Sequence, residues 1–228
     1  MIKDPPLLTI RRGFPRPKPE DVAAFANVPT GYVVDALGGR GALDHKIKPL
    51  SPAKSVMVGV AITCQCGPAD NLALFGALAA AEPGDILVAA TDGFTATSVT
   101  GDLLLGMAKN RGLKGLVTDG LARDLAGILA VGLPLYCAGL TPNSPVRNGP
   151  GTVGLPIVVG GVAVESGDIL VGDDDGVVVV PRAQIGVVLE RLAQVRAAEA
   201  ALDAKVKGGL QVPDFIRSIL ESDRVVEV

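Results

Sequence analysis

One histidine, His45, serves a chain of 228 residues, and that scarcity excludes several chemistries at once. No Ser-His-Asp triad, His-rich zinc site or histidine general base can be assembled unless it is built on that residue, and its neighbours Asp44 and Lys46 read as a solvated loop. Cysteine is nearly as scarce, at three. Cys64 and Cys66 alternate along a strand-like run and share a face about 7 Å apart, but no second Cys/His pair accompanies them, so with Cys137 they read as reduced core thiols. A run of Lys and Arg is also missing. With a formal charge of −3 and a pI near 5.2, the chain has no electrostatic footprint for nucleic acid. No apolar stretch reaches the roughly 18 residues that a membrane span needs, and Met1-Ile2-Lys3-Asp4-Pro5-Pro6 lacks the apolar stretch of a signal peptide. A cytoplasmic protein with no membrane and no nucleic-acid partner is expected.

What is present is material for a full core: 48% hydrophobic residues and a mean hydropathy of +0.42. At this length one large domain is expected. Residues 1–17 carry Pro and Gly without a period and read as an extended arm, residues 18–206 as the domain, and residues 207–228 as a C-terminal extension. Helices are expected over about Pro19–Asn27, Thr30–Leu37 (stopped by Gly38), Asn71–Ala81 (capped by Asp70, stopped by Pro83-Gly84) and Arg182–Val206. Strand-like runs fall at Ser55–Cys66, Leu133–Tyr136, Ile157–Val164, Ile169–Val171 and Val177–Val180. The pattern is mixed α/β.

Two glycine strings resemble nucleotide loops but lack their context. Gly149-Pro150-Gly151-Thr152-Val153-Gly154 matches the dinucleotide fingerprint as a string, yet prolines precede and interrupt it and a strand-like run follows, so it reads as a loop. Gly38-Gly39-Arg40-Gly41 lacks the Lys-Ser/Thr of a phosphate loop. A true repeat does occur: Gly-Asp-Ile-Leu-Val-x-x-x-Asp-Gly stands at 84–93 and again at 167–176. Each copy reads as a turn, a buried strand and a second turn, marking topology in preference to metal ligation by Asp92 or Asp173 to Asp175.

The most informative pattern is Asp102, twenty residues, then Arg123-Asp124. Between them lie a helix-like stretch closed by Gly112, the short apolar run Gly115-Leu116-Val117-Thr118 and an Asp-Gly turn. Ten helical residues cover about 15 Å and five or six strand residues about 18 Å, so a helix down and a strand back return the chain to the same rim. Two carboxylates and a few waters suit a hard divalent cation such as Mg²⁺. Free N–H groups at the first helical turn would take a carboxylate, and Arg123 adds a planar fork. Each acid has a plainer reading, Asp102 as a helix cap and Asp124 as an answer to the helix dipole. Arg123 favours a site, because a cation in a first turn opposes the dipole.

The spacing Asp-x20-Arg-Asp, with Gly101-Asp102-Leu103-Leu104 before it and Asp119-Gly120-x-x-Arg123-Asp124 closing it, resembles the pyruvate-forming class II aldolases typified by 4-hydroxy-4-methyl-2-oxoglutarate aldolase. The regulator of ribonuclease activity A proteins share it. The likeness extends to Gly67-Pro68-Ala69-Asp70-Asn71 and to both copies of the repeat, spanning roughly residues 30–206. It implies a swivelling-type fold like that of phosphohistidine domains, a layered β/β/α arrangement with helices outside the sheets. It implies Mg²⁺ or Mn²⁺ bound directly by Asp124 and through water by Asp102, with Arg123 at the keto and enolate oxygens. The backbone from Gly101 through Leu103, Leu104 and Leu105 would hold the pyruvyl carboxylate.

The last helix carries one residue out of pattern. On a helical wheel Glu199 falls within about 10° of the centre of the stripe Ile185, Val188, Leu189, Leu192, Val195, Leu202 and Val206. It could snorkel where the helix leaves its own domain. The resemblance implies instead that the distal helix presents Glu199 to a neighbour's metal waters in a homotrimer or a hexamer of stacked trimers. The expected function is a metal-dependent lyase cleaving 4-hydroxy-2-oxo acids of the 4-hydroxy-4-methyl-2-oxoglutarate or 4-carboxy-4-hydroxy-2-oxoadipate type to pyruvate, with oxaloacetate decarboxylation alongside. The alternative is a non-catalytic protein that binds ribonuclease. Arg40 is the candidate for a distal substrate carboxylate, and loops 35–44 and 141–153 are the candidates for specificity.

Overall fold

The computed structural model describes residues 4–52 and 56–228. Its first third runs β1 (Leu8–Ile10), α1 (Pro19–Ala23), α2 (Thr30–Ala36), β2 (Lys48–Pro49), β3 (Met57–Gln65) and α3 (Leu72–Ala80). The middle runs β4 (Asp85–Ala90), β5 (Ser98–Thr100), α4 (Asp102–Asn110), β6 (Gly115–Thr118), β7 (Leu121–Ala122), α5 (Leu125–Val131), β8 (Leu135–Cys137) and β9 (Gly139–Leu140). The remainder is β10 (Gly151–Val153), β11 (Ile157–Val159), β12 (Val162–Val164), β13 (Ile169–Asp173), β14 (Gly176–Val180), α6 (Ile185–Lys207, entered through a 3-10 turn at Arg182–Gln184) and α7 (Asp214–Leu220).

Strands β3, β4, β6 and β8 are parallel neighbours in that order, and α3, α4 and α5 are the crossovers between them. Every residue of β4 is buried, as expected of a parallel strand covered on both faces. Alternation divides its side chains. Leu87 and Ala89 join Leu74, Ala77, Leu105, Leu116 and Ile128 under the helices. Ile86, Val88 and Ala90 face a second β layer through Ile157, Val159, Val164, Leu170 and Val179. Beyond that layer, α2 and α6 cover the outer face of the β13–β14 hairpin with Val33, Ala36, Ile185, Val188 and Leu192. This is layered α/β architecture with helices outside stacked β layers.

The repeat marks topology. Val60 of β3 pairs with Asp85 on one side and Ile169 on the other, so the two copies flank one strand. Asp85 accepts the Glu82 N–H at 2.9 Å and Asp168 accepts the Glu165 N–H at 2.8 Å, closing the same turn twice. Asp173 accepts from the Thr30 N–H and Oγ1 at 2.9 and 2.8 Å, which satisfies the start of α2.

Several local expectations shift. The 1–17 arm contributes β1, parallel to β10. The glycine string expected as a loop includes β10 itself, hydrogen-bonded between β1 and β3. The first helix stops at Ala23 because Phe25 and Ala26 donate to carbonyls three residues back, which tightens the chain and sends Phe25 and Val28 into the core. Ile157–Val164 is a hairpin, turned by Gly160 and Gly161 at φ 53° and 79°. Ser55 lies outside the described residues. All three cysteines are free and buried, and a hydrogen bond to Cys66 together with burial pushes the Cys64 thiol well up, so it stays protonated. His45 is exposed beside Asp44, as read.

Candidate functional site

In an open parallel sheet the strand ends that lead into the crossover helices collect the connecting loops at one edge. Here β3 leads to Asp70-Asn71 and α3, β4 leads through β5 to Gly101-Asp102 and α4, and β6 leads through β7 to Arg123-Asp124 and α5. After β8 and β9 the loop 141–149 returns to the same edge. Strands β5, β7 and β9 pair with one another into a small parallel sheet that fixes the spacing of these junctions. Between them opens a cleft of about 130 Å³ whose lining includes Asn71, Thr100, Asp102, Arg123, Asp124 and Arg147. A hollow of about 670 Å³ elsewhere is lined by Pro49, Leu50, Pro52, Leu129, Leu133 and other mostly apolar residues, with no carboxylate or cation among the described residues that line it. The charged side chains line the smaller one.

Asp124 stands immediately before α5 in the left-handed region, at φ 66° and ψ 47°. That conformation is uncommon for a non-glycine residue, though aspartate tolerates it better than most, and such strain concentrates at functional positions. Its side chain makes no cap hydrogen bond. The carboxylate Oδ2 lies 3.2 Å from Arg123 Nε. Arg123 also donates to Ser144 Oγ, so its fork is held from two sides. The sequence placed Arg123 in the first turn of a helix. It lies instead in the junction ahead of that turn, where the dipole argument does not reach it.

Asp102 is the first residue of α4, and Gly101 is the cap position. Gly101 is extended, at φ −160°, so its lack of a side chain answers to space: a Cβ there would sit 2.8 Å from Asp124 Oδ2. Gly127, one turn into α5, is similarly bare where Asp102 packs, and a Cβ would meet Asp102 Cβ at 2.7 Å. The two acids are therefore brought to one rim by two glycine contacts. At the first turn of α4 the Leu103 N–H is taken by Asp102 Oδ1 at 2.7 Å and the Leu105 N–H by the Gly101 carbonyl at 3.2 Å. Of Leu103, Leu104 and Leu105, the Leu104 N–H is the one without a hydrogen-bond partner among the described residues.

Two polar atoms at the cleft are buried and unpartnered among the described residues: Asn71 Oδ1 and Thr100 Oγ1. Leaving such atoms unsatisfied is costly, so they point to a ligand or ordered water. Together with Asp102 and Asp124 they make an all-oxygen donor set, which fits a hard cation that keeps most of its waters. No cluster of three or more His, Cys, Asp or Glu that could hold a metal ion occurs among the described residues.

Glu199 is not brought to this cleft within its own chain. The stripe of α6 is buried through Leu192, half-buried at Val195 and Glu199, and exposed at Leu202 and Val206. Arg40 is exposed and does not line the cleft, and neither does any other residue of 35–44. Arg147 does line the cleft, with its guanidinium 5.1 Å from the centre of the Phe75 ring. Arg147 lies in a stretch with no periodicity to draw attention to it. Asn71 stands in the sequence only as the end of Gly67-Pro68-Ala69-Asp70-Asn71, and its signal is its place directly ahead of α3, as Gly101 and Asp124 stand directly ahead of α4 and α5.

A family model described as Aldolase/RraA matches residues 30–179. The chain belongs to the RraA-like family. A relative from Halalkalibacterium halodurans, which carries the provisional name of a 4-hydroxy-4-methyl-2-oxoglutarate aldolase, is 37% identical over 88% of this chain and 93% of its own. Among solved structures, Streptomyces coelicolor RraAS2, described as an unusual member of the RNase ES inhibitor RraA family, superposes with a TM-score of 0.74 at 29% identity, covering 84% of this chain and 99% of that one. The RNA-processing inhibitor RraA from Thermus has a TM-score of 0.61 at 26% identity and covers 68% of this chain and 93% of its own.

Proposed function

We propose that the cleft is the active site of a divalent-metal-dependent lyase that cleaves 4-hydroxy-2-oxo acids, of the 4-hydroxy-4-methyl-2-oxoglutarate or 4-carboxy-4-hydroxy-2-oxoadipate type, to pyruvate and a second 2-oxo acid. Oxaloacetate decarboxylation is the expected companion, since loss of CO₂ gives the same enolate. The observation that carries the reading is the convergence of Asp102, Arg123 and Asp124 with the unpartnered Asn71 Oδ1 and Thr100 Oγ1 in one cleft.

Asp124 would hold Mg²⁺ or Mn²⁺ directly and Asp102 through water. When bound, the ion would supply Lewis acidity to the substrate's keto oxygen. The α4 N-terminus, with the Leu104 N–H free, receives the C1 carboxylate. Removal of the C4 hydroxyl proton lets the C3–C4 bond break, and the electron pair comes to rest on the C2 oxygen of pyruvate enolate. Arg123, already oriented by Asp124 and Ser144, faces that charge as it develops, an electrostatic contribution whose loss commonly costs about 10²–10³ in rate. Arg147 is the cation for a second carboxylate at the far end of the substrate.

The assembly is proposed to be a homotrimer or hexamer in which α6 carries Glu199 to a neighbour's site. Exposed Leu103 and Met107 on α4 line the cleft, Leu125 and Leu129 are exposed on α5, and Leu202 and Val206 continue the uncovered stripe of α6, which leaves apolar surface for a second copy to cover. The ribonuclease-binding reading draws on the names of the Streptomyces and Thermus relatives. Retention of Glu199 on a helix beyond the family-matched segment favours the enzyme. Pyruvate release from 4-hydroxy-4-methyl-2-oxoglutarate and oxaloacetate, measured with EDTA and then with added Mg²⁺ or Mn²⁺, separates the two. Restoration by metal is expected. Full turnover after exhaustive chelation would reject the mechanism, and no turnover under any condition would favour the regulatory protein.

A further inference from the structure

Asp70 is buried to 5% exposure, yet no Lys or Arg pairs with it among the described residues. Its two oxygens are occupied by backbone N–H groups from both walls of the cleft. Oδ1 accepts from Leu72 at the start of α3 at 2.8 Å. Oδ2 accepts from Asn148 and, at 2.9 Å, from Gly149. Two backbone bonds continue the seam: the Val146 N–H donates to the Ala69 carbonyl at 2.7 Å and the Asn71 N–H to the Val146 carbonyl at 3.0 Å. Ala69 adopts φ +56°, a left-handed turn that aims this seam. Arg147 is thus fixed on one side by the Val146 pairing and on the other by the Asp70 carboxylate.

The geometry points to Asp70 as a positioning residue that sets Arg147, and through it the preference of the site for substrates bearing a second carboxylate. This rests on the aldolase reading of the cleft. A helix cap alone needs one acceptor, and Asp70 spends a second oxygen on a segment 78 and 79 residues away, at Asn148 and Gly149. Arg147 needs such help because its only other described side-chain contact is the face of Phe75, and a long side chain on an unpinned loop loses orientation. Asn71 depends on the clamp less, since its own Nδ2 donates to the Val99 carbonyl at 2.9 Å.

Asp70→Asn keeps the shape and turns one acceptor into a donor facing an N–H, so at least one of the three bonds is lost. Wild type, Asp70→Asn, Arg147→Ala and the double variant would be compared on two reactions. One is cleavage of a dicarboxylic 4-hydroxy-2-oxo acid. The other is metal-dependent exchange of pyruvate methyl protons in D₂O, which needs no second carboxylate. In Asp70→Asn, KM for the dicarboxylate should rise about tenfold with a much smaller change in kcat, pyruvate exchange should fall less than about threefold, and the substitution should cost little more when Arg147 is already Ala. Equal losses on both reactions, or full additivity with Arg147→Ala, would overturn the proposal. If Asp70→Asn does not fold, Asp70→Glu serves in the same comparison. Should the wild type neither release pyruvate nor exchange its methyl protons, the aldolase reading fails instead. In that event, faster amide exchange at Asn148 and Gly149 in Asp70→Asn supports the clamp, and unchanged exchange overturns it.

Discussion

Gly101 and Asp124 face each other so closely that a Cβ on the glycine would stand 2.8 Å from Asp124 Oδ2. Since Gly101 has an extended φ of −160°, alanine meets no backbone obstacle there, and the overlap would be relieved at the tip of the aspartate. Gly101→Ala should therefore leave the fold nearly intact while displacing the carboxylate proposed to hold the metal. Misplacement on the scale of 1 Å can cost about 10²-fold in rate, so kcat/KM should fall by about that factor with the melting temperature within a few degrees of wild type. Retained activity would mean that the position of Asp124 is not decisive.

Arg123 makes contacts that a lysine cannot reproduce together. Its Nε lies 3.2 Å from Asp124 Oδ2 while another nitrogen of the same plane donates to Ser144. An ammonium is a point charge without that fixed fork. Arg123→Lys should lower kcat on pyruvate-forming substrates by about 10²–10³, with unchanged circular dichroism. A variant retaining most of the wild-type kcat would remove Arg123 from the enolate.

Asp168 and Asp85 occupy equivalent places in the repeat but differ in company. Arg16 forks Asp85 at 2.6 and 2.9 Å, whereas among the described residues Asp168 accepts only the backbone N–H groups of Glu165 and Arg182. Burial raises the Asp168 carboxyl above its ordinary value, and those two bonds offset it only in part. Between the ordinary value of the unfolded chain and the raised native value, the native state holds more protons. Stability from this group therefore falls as pH rises through that window, and its full cost is present above the native pKa. Asp168→Asn cannot ionise and should lack this slope. Measured by urea unfolding, the wild type should gain on the variant as pH is lowered from about 7 towards 4. A flat or reversed difference would show that the buried carboxylate bears no such cost.

The rim formed by Asp102, Arg123 and Asp124 was legible because one helix and one strand of matched length join them, so local geometry suffices to bring the chain back. Asn71 and Arg147 enter from other strand ends, and their approach depends on the order β3, β4, β6, β8, which no local period encodes. The dipole argument about Arg123 failed for a related reason: Asp124 turns left-handed, and the helix begins at Leu125, past Arg123. The buried strands were readable as short apolar runs between turn residues, whereas the turn within Ile157–Val164 hinged on two glycines inside an otherwise continuous apolar run. The mismatch of Glu199 was visible on the wheel, and its meaning depends on a second subunit.

That dependence can be tested by complementation. Glu199 is half-buried on a stripe that is covered through Leu192 and emerges by Leu202, and it does not line its own chain's cleft. If a neighbour's cleft receives it, Asp124→Ala and Glu199→Ala chains should each be inactive or weak alone and should regain activity when co-expressed. In a cyclic trimer assembled at random from equal amounts, a competent site takes Asp124 from a Glu199→Ala chain and Glu199 from an adjoining Asp124→Ala chain, so about a quarter of sites should work. Two affinity tags used in succession isolate the mixed oligomers, whose activity is then compared with each single variant. Mixed oligomers no more active than their parents would place Glu199 within its own subunit or outside catalysis, and the shared site would have to be abandoned.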